Sequence, residues 1–243
     1  MIEGVKFKSY NENIEPHVEM VLSADSRDTY VCAMVERIFD EAKKLGEGRT
    51  AKVFPDSFSN GMCHKVIYDK ELLFNDVEEE AGYLDDLVDI DSKARVPQPI
   101  MHVFAKVVEE HEGKEYTRTQ QVLMMEEIKG FSIKDLEEGK GVLPEDFEIE
   151  PFMEALRDFF LKMHKDKQIY HRDFHEGNLM IDYDTNLPAV IDFGHATRKT
   201  LRDENPYRSD PDVRNKISAF LDDDIQINVL EGKIRTLIDK QSN

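Results

Sequence analysis

Two short polar runs hold the residues best able to do chemistry: HRDFHEGNLM, from His171 to Met180, and IDFG, from Ile191 to Gly194. They supply carboxylates at Asp173 and Asp192 and a carboxamide at Asn178, five residues after Asp173. Phosphoryl transfer needs such groups, because oxygen donors must hold Mg2+ against phosphates and a carboxylate must stand near the acceptor hydroxyl. Upstream, LGEGRTAKVF carries Gly46, Gly48, Ala51 and Val53 in a strand-turn-strand pattern whose backbone N–H groups could fold closely over phosphates. Lys65, in CHKVI, lies twelve residues after Val53 among strand residues. An acidic run follows at Glu78, Glu79 and Glu80, of which Glu80 stands four residues before Leu84 on the same helical face.

Taken in this order, the runs resemble the motifs of the protein-kinase-like superfamily, whose catalytic loop reads H-R-D-L-x-x-x-N, whose metal loop reads D-F-G and whose glycine loop reads G-x-G-x-x-G-x-V. Phe174 departs from the first pattern, and Ala51 takes the third glycine position of the last. The resemblance implies ATP and Mg2+ as cofactors. It implies that Asp173 is the base or hydroxyl-orienting group, Asn178 a metal ligand and Asp192 the principal metal ligand. Gly46, Gly48, Ala51 and Val53 would cover the phosphates, Lys65 would contact the α- and β-phosphates, and Glu80 would be its ion-pair partner. VLMMEEIKGFSIKDL is similar to the hinge along the adenine edge. Met125 would precede that hinge, Glu126 and Ile128 would offer backbone groups, and Val53, Cys63 and Met180 would enclose the ring.

The stretch after the hinge is about half as long as a full protein-kinase helical lobe, and no A-P-E motif follows D-F-G. The chain is therefore similar to minimal, atypical kinases such as the RIO type, and to aminoglycoside and lipopolysaccharide-sugar kinases. His175 stands where eukaryotic-type serine/threonine kinases carry lysine, which resembles the small-molecule kinases, whereas His-Arg-Asp resembles the protein kinases. The leading expectation is a protein Ser/Thr kinase, with a sugar or aminoglycoside-type kinase as the alternative. An ATPase and a nucleotide-binding scaffold stand behind these. Arg172 is read as a member of a structural ion pair, with a phosphate on Thr197 or Thr200 as the alternative partner, while His164 and His195 receive no role.

The elements that must position these residues are read from hydrophobic spacing. Helical periodicity covers 27–42, after a cap at Ser26 or Asp28, then 71–90, 132–138 and 151–165. A β-hairpin is expected within 46–67, and two further strands at 100–108 and 119–125 flank a tip at EEHEGKEY. Gly130 is read as the end of the sheet region. With the resemblance, this gives an α+β, bilobal protein-kinase-like fold. Residues 1–127 would form an N-terminal lobe with a small antiparallel sheet and a helical extension, and 128–243 a reduced, mostly helical catalytic lobe.

Of the 243 residues, 40% are hydrophobic and 34% charged, a globular composition, and the formal charge of -19 speaks against a nucleic-acid or anionic-membrane surface. The expected partner is a protein substrate or a small-molecule hydroxyl acceptor. Cys32 and Cys63 are too few for a disulfide framework and are expected as free thiols. The absence of an apolar leader segment at the start gives the expectation of a cytoplasmic protein.

Overall fold

The computed structural model describes residues 5–8, 17–21, 44–48, 51–56, 60–67, 75–111, 114–198 and 222–241. The helix expected over 27–42 lies outside them, as do Cys32 and Thr200. The chain divides into two compact units: Met1–Ala81 with Pro99–Glu127, and Gly82–Gln98 with Ile128–Asn243. Among the described residues, no helix is long and apolar enough to cross a membrane.

The first unit is built on a seven-stranded antiparallel sheet: β1 (Val5–Lys8), β2 (His17–Val21), β3 (Gly46–Glu47), β4 (Ala51–Pro55), β5 (Met62–Ile67), β6 (Pro99–His111) and β7 (Lys114–Glu126), in the order β1-β2-β6-β7-β5-β4-β3. The expected hairpin within 46–67 is β4 and β5. Its turn ends at Asn60-Gly61, where Gly61 adopts φ 84°, a conformation that glycine tolerates at no steric cost. β5 lies between β4 and β7 and is buried from Cys63 to Ile67, as a strand covered on both faces must be. β6 and β7 run further than their β-rich cores suggested. Their pairing continues to His111 opposite Lys114, through much of the sequence expected to form the tip.

Helix α1 (Val77–Val88) begins where Asp76 Oδ1 accepts hydrogen bonds from the backbone N–H groups of Glu78 and Glu79, both at 3.0 Å. This is an N-cap of the kind that supplies two otherwise orphaned donors with an acceptor. Val77, Glu80, Leu84 and Leu87 form its buried stripe. The division between the two units passes through this helix, between Ala81 and Gly82.

The second unit corrects the reading of Gly130. That residue ends no sheet region but opens β8 (Gly130–Ser132), which pairs with β9 (Leu179–Asp182) and, beyond it, β10 (Leu187–Val190) in a three-stranded antiparallel sheet. A Cβ at Gly130 would lie 1.9 Å from the Ile181 carbonyl oxygen, so this glycine permits close strand approach rather than ending it. Arg95 extends the sheet by a parallel bridge to Ala189, and its Nε stands 2.9 Å from the buried Asp182 carboxylate. The unit expected to be mostly helical thus carries a sheet as well, and the protein is an α+β structure with antiparallel sheets.

Helix α2 (Ile133–Glu137) is capped by Ser132, whose Oγ accepts from Asp135 N at 3.1 Å. Helix α3 (Ile149–Lys162) starts two residues before the expected Pro151, which sits in the first turn where its missing N–H costs nothing. Phe152, Met153, Ala155, Leu156, Phe159 and Phe160 form its buried face. A π-helical turn, Met163–Lys167, continues α3 and ends at Gln168, which takes the left-handed conformation at φ 56°. Helix α4 (Asp223–Gln241) packs on α3 and α2 through Ile227, Leu230, Ile234 and Leu237. Exposed ion pairs decorate that contact, Arg235 with Glu150 at 2.9 Å and Lys233 with Glu137 at 3.2 Å. Solvent screens exposed pairs of this kind and they add little, so the apolar stripe dominates the packing.

Candidate active site

In the first unit, the register of β3, β4, β5 and β7 puts Val53, Cys63, Lys65 and Met125 on one face. Val53 pairs with Lys65 and with Gly46, and Cys63 pairs with Met125. Directly opposed residues share a face, and residues two apart on a strand do too. On that face Lys65 is buried, and its Nζ donates to both oxygens of Glu80, at 2.8 and 2.8 Å. Of the three consecutive glutamates only Glu80 lies on the buried stripe of α1, whereas Glu78 and Glu79 are exposed. A buried charge requires such a partner.

Gly48 N donates to the Ala51 carbonyl at 2.8 Å and Leu45 N to the Val53 carbonyl at 2.8 Å, closing β3 onto β4. Among the described residues, a Cβ at Gly46 would meet nothing within 4 Å, and one at Gly48 only the Ala51 oxygen at 3.7 Å. Packing among the described residues therefore does not demand either glycine. Ala51, in the third glycine position, is buried.

Cys63 is buried, and its thiol donates to the Glu126 carbonyl at 3.6 Å. Burial, with the charges of Glu127 and Glu126 behind it, pushes the thiol pKa up to about 12 from 9.0. The thiolate fraction is then about 10^3-fold below that of an ordinary cysteine. Peptide-resolved mass spectrometry after iodoacetamide treatment should find Cys63 alkylated at least about 10^3-fold faster in denaturant than in the fold. Equal rates would contradict this burial. Glu126 closes β7, and Glu127 N donates to the Gly61 carbonyl at 2.9 Å. Ile128, buried, opens the second unit's longer segment.

In the second unit, Asp173, Asn178 and Asp192 sit on one hydrogen-bonded backbone frame. Asn178 Nδ2 donates to the Asp173 carbonyl at 2.8 Å, and Ile191 N donates to the Asn178 carbonyl at 3.0 Å. The first bond sets the span from Asp173 to Asn178, and the second fixes Asn178 against the residue preceding Asp192. Asp192 itself has φ 62°, a conformation that aspartate tolerates better than most L-residues. Gly194 N donates to its Oδ1 at 3.4 Å. Met180, half-buried on β9, follows directly.

His171 anchors this frame. It is fully buried, and its Nε2–H donates to the Ile191 carbonyl at 3.0 Å. Its ring lies 4.7 Å from Phe193 and 5.6 Å from Phe174. Phe174, at the position where the motif reads leucine, packs at 4.5 Å against Phe160 of α3, so its larger ring belongs to the core. Burial pulls the His171 pKa below 6.5, against the opposing influence of Asp223. The folded protein then binds fewer protons at this site than the unfolded chain. Stability should fall as pH drops below 6.5, until the lowered folded pKa is reached. Denaturation by urea at several pH values checks this, and His171→Gln should flatten the dependence.

Asp223 belongs to none of the motifs singled out in the sequence. It is the first residue of α4, it is buried, and its carboxylate accepts from His171 N at 2.8 Å and Arg172 N at 3.1 Å. His164 Nε2 lies 3.0 Å from the same carboxylate, held by stacking on Tyr170 at 4.9 Å. The π-helical turn carries this histidine. An aspartate just ahead of the stripe Ile227, Leu230, Ile234 was the available signal. Asp223→Ala would strip two buried N–H groups of their acceptor and should cost about 3 kcal/mol by denaturant unfolding. Arg172 is buried at φ 67°, with its guanidinium 5.6 Å from the Tyr170 ring centre, and Thr197 pairs with Tyr170 through their backbones. His195 is half-buried.

Asp173 and Asn178 thus share one frame, and Asp192 follows the residue hydrogen-bonded to it. In comparison with known families, residues 130–200 match the family described as phosphotransferase enzyme family, APH. That span includes Asp173, Asn178 and Asp192, and the match supports a kinase-like phosphotransferase. No curated protein matches the chain.

Proposed function

We propose that the protein is an ATP- and Mg2+-dependent kinase that transfers the γ-phosphoryl group to a hydroxyl, with Ser or Thr of a protein as the leading acceptor. The observation that carries this reading is the frame that ties Asp173, Asn178 and Asp192 together through the 2.8 Å and 3.0 Å hydrogen bonds.

The donor set fits Mg2+. Among the described residues, no group of three or more His, Cys, Asp or Glu side chains converges as a metal site. Mg2+ in nucleotide sites needs no such cage, since it is held by one or two protein oxygens together with phosphates and water. Asn178 spends its Nδ2 on the Asp173 carbonyl, which leaves Oδ1 as the atom for a hard cation. Asn178 Oδ1 and the Asp192 carboxylate would hold the ion, which when bound neutralises charge on the phosphates.

Asp173 receives the acceptor's proton as the hydroxyl oxygen bonds to the γ-phosphorus and the bond from that phosphorus to the bridging oxygen breaks, releasing ADP. Lys65, set by Glu80, would serve the α- and β-phosphates. Gly46, Gly48, Ala51 and Val53 would cover the phosphates. Met125, Glu126, Ile128, Cys63 and Met180 are the residues the resemblance assigns to the adenine.

A small-molecule alcohol is the second reading, favoured by the match to the phosphotransferase family and by His175 in the catalytic loop. The net charge of -19 suits a cationic acceptor in either case. The test incubates the protein with γ-labelled ATP and Mg2+, with a generic basic protein in one arm and a panel of amino sugars in the other. Label that reaches Ser or Thr, and is lost in Asp173→Asn, supports the leading reading. Label confined to an amino sugar moves the second ahead, and label unaffected by Asp173→Asn overturns both.

A further inference from the structure

His175 has no part in the chemistry above, yet its neighbours define how its ring is used. Gly177 N donates to His175 Nδ1 at 2.9 Å. The ring lies so close over that glycine that a Cβ there would come within 2.8 Å of Cε1 and 3.1 Å of Nδ1. With Nδ1 an acceptor, the neutral ring keeps its proton on Nε2. Nε2 stands 3.8 Å from Asp173 Oδ2 and 3.3 Å from Asn178 Nδ2. Two N–H groups cannot bond each other. The Asn178 amide already donates to the Asp173 carbonyl at 2.8 Å, which leaves the Asp173 carboxylate, 3.8 Å away, as the acceptor that a small rotation would bring to the His175 Nε2–H.

We infer that His175 is a positioning residue that holds Asp173 Oδ2 through Nε2–H and so turns Oδ1 toward the acceptor hydroxyl. The inference rests on the kinase reading and adds to it a third group that orients the base, an arrangement general to activated nucleophiles. The present 3.8 Å is longer than a hydrogen bond, and a small rotation of either side chain closes it. Gly177 is part of the device, because any side chain there would push the imidazole off its seat.

The test follows phosphoryl transfer from γ-labelled ATP with Mg2+, to water and to a generic basic protein. His175→Ala should lower kcat about 10- to 100-fold and leave KM for ATP within about twofold. Glutamine carries its amide nitrogen to the place of Nε2, whereas asparagine reaches only the place of Nδ1. His175→Gln should therefore recover to within about fivefold of wild type, and His175→Asn should stay with alanine. Gly177→Ala should also slow transfer, yet add nothing to His175→Ala.

In the wild-type protein, 15N NMR of the imidazole should show the Nε2–H tautomer. A His175→Ala enzyme at wild-type kcat, equal failure of the glutamine and asparagine variants, additive effects with Gly177→Ala, or an Nδ1–H tautomer would each overturn the inference. The outcomes separate cleanly. Wild type without transfer, or Asp173→Asn as fast as wild type, removes the kinase reading and this inference with it. A silent His175→Ala beside an inactive Asp173→Asn removes the inference alone.

Discussion

Asp192→Asn should abolish Mg2+-dependent phosphoryl transfer while leaving the fold intact. Asparagine is the informative substitution because Asp192 has φ 62°, where Asn is tolerated and Ala would add backbone strain of about 1–2 kcal/mol. The Asn variant keeps an oxygen but loses the charge, so what it loses is electrostatic. Charge stabilisation by a bound metal accounts for several kcal/mol of a barrier, which corresponds to a fall of about 10^3-fold or more in kcat. Circular dichroism and the urea midpoint should match wild type within error. If the variant turned over ATP at the wild-type rate with Mg2+ present, Asp192 would not be a metal ligand.

The second large effect is expected at Lys65, and it has two separable parts. Lys65 and Glu80 are both buried and joined at 2.8 Å, so Lys65→Met removes the main counter-charge of a carboxylate held out of water. Breaking a buried pair in this way costs about 3–5 kcal/mol. Replacing both members, Lys65→Met with Glu80→Met, removes the stranded charge and should return most of that stability. Activity should not return, because the cation that the proposed function assigns to the phosphates is missing from both proteins. Urea unfolding and ATP turnover of the two variants test the pair. A double variant as active as wild type would show that Lys65 serves the fold alone, and a stable single variant would show that Glu80 finds another partner.

The candidate site was legible where chemistry constrains residue type over short spans. Asp173, Asn178 and Asp192 stand within twenty residues of one another in the sequence, and one bond from the Asn178 side chain and one between backbone groups join the three segments. Glu80 was legible for another reason: helical spacing puts it in register with Val77, Leu84 and Leu87, so the sequence pattern already separates it from Glu78 and Glu79. The small sheet was not legible. Gly130 reads locally as a breaker, and only the approach of Ile181, far along the chain, makes its lack of a side chain a requirement of pairing. Asp223 escaped for the same reason, since its role depends on backbone donors at His171 and Arg172 that no local pattern reveals. The ends of β6 and β7 were missed because their polar residues, His111 and Lys114 among them, carry no strand propensity of their own and are kept in register by the hairpin.

The bonds from Asp223 to His171 and Arg172 span fifty-two and fifty-one residues of sequence. During synthesis the segment around His171 leaves the ribosome long before the carboxylate that receives its backbone N–H groups, so these two bonds form only once α4 has been made. A nascent or prematurely terminated chain that carries every motif residue but stops short of α4 lacks the acceptor for the backbone N–H groups of His171 and Arg172.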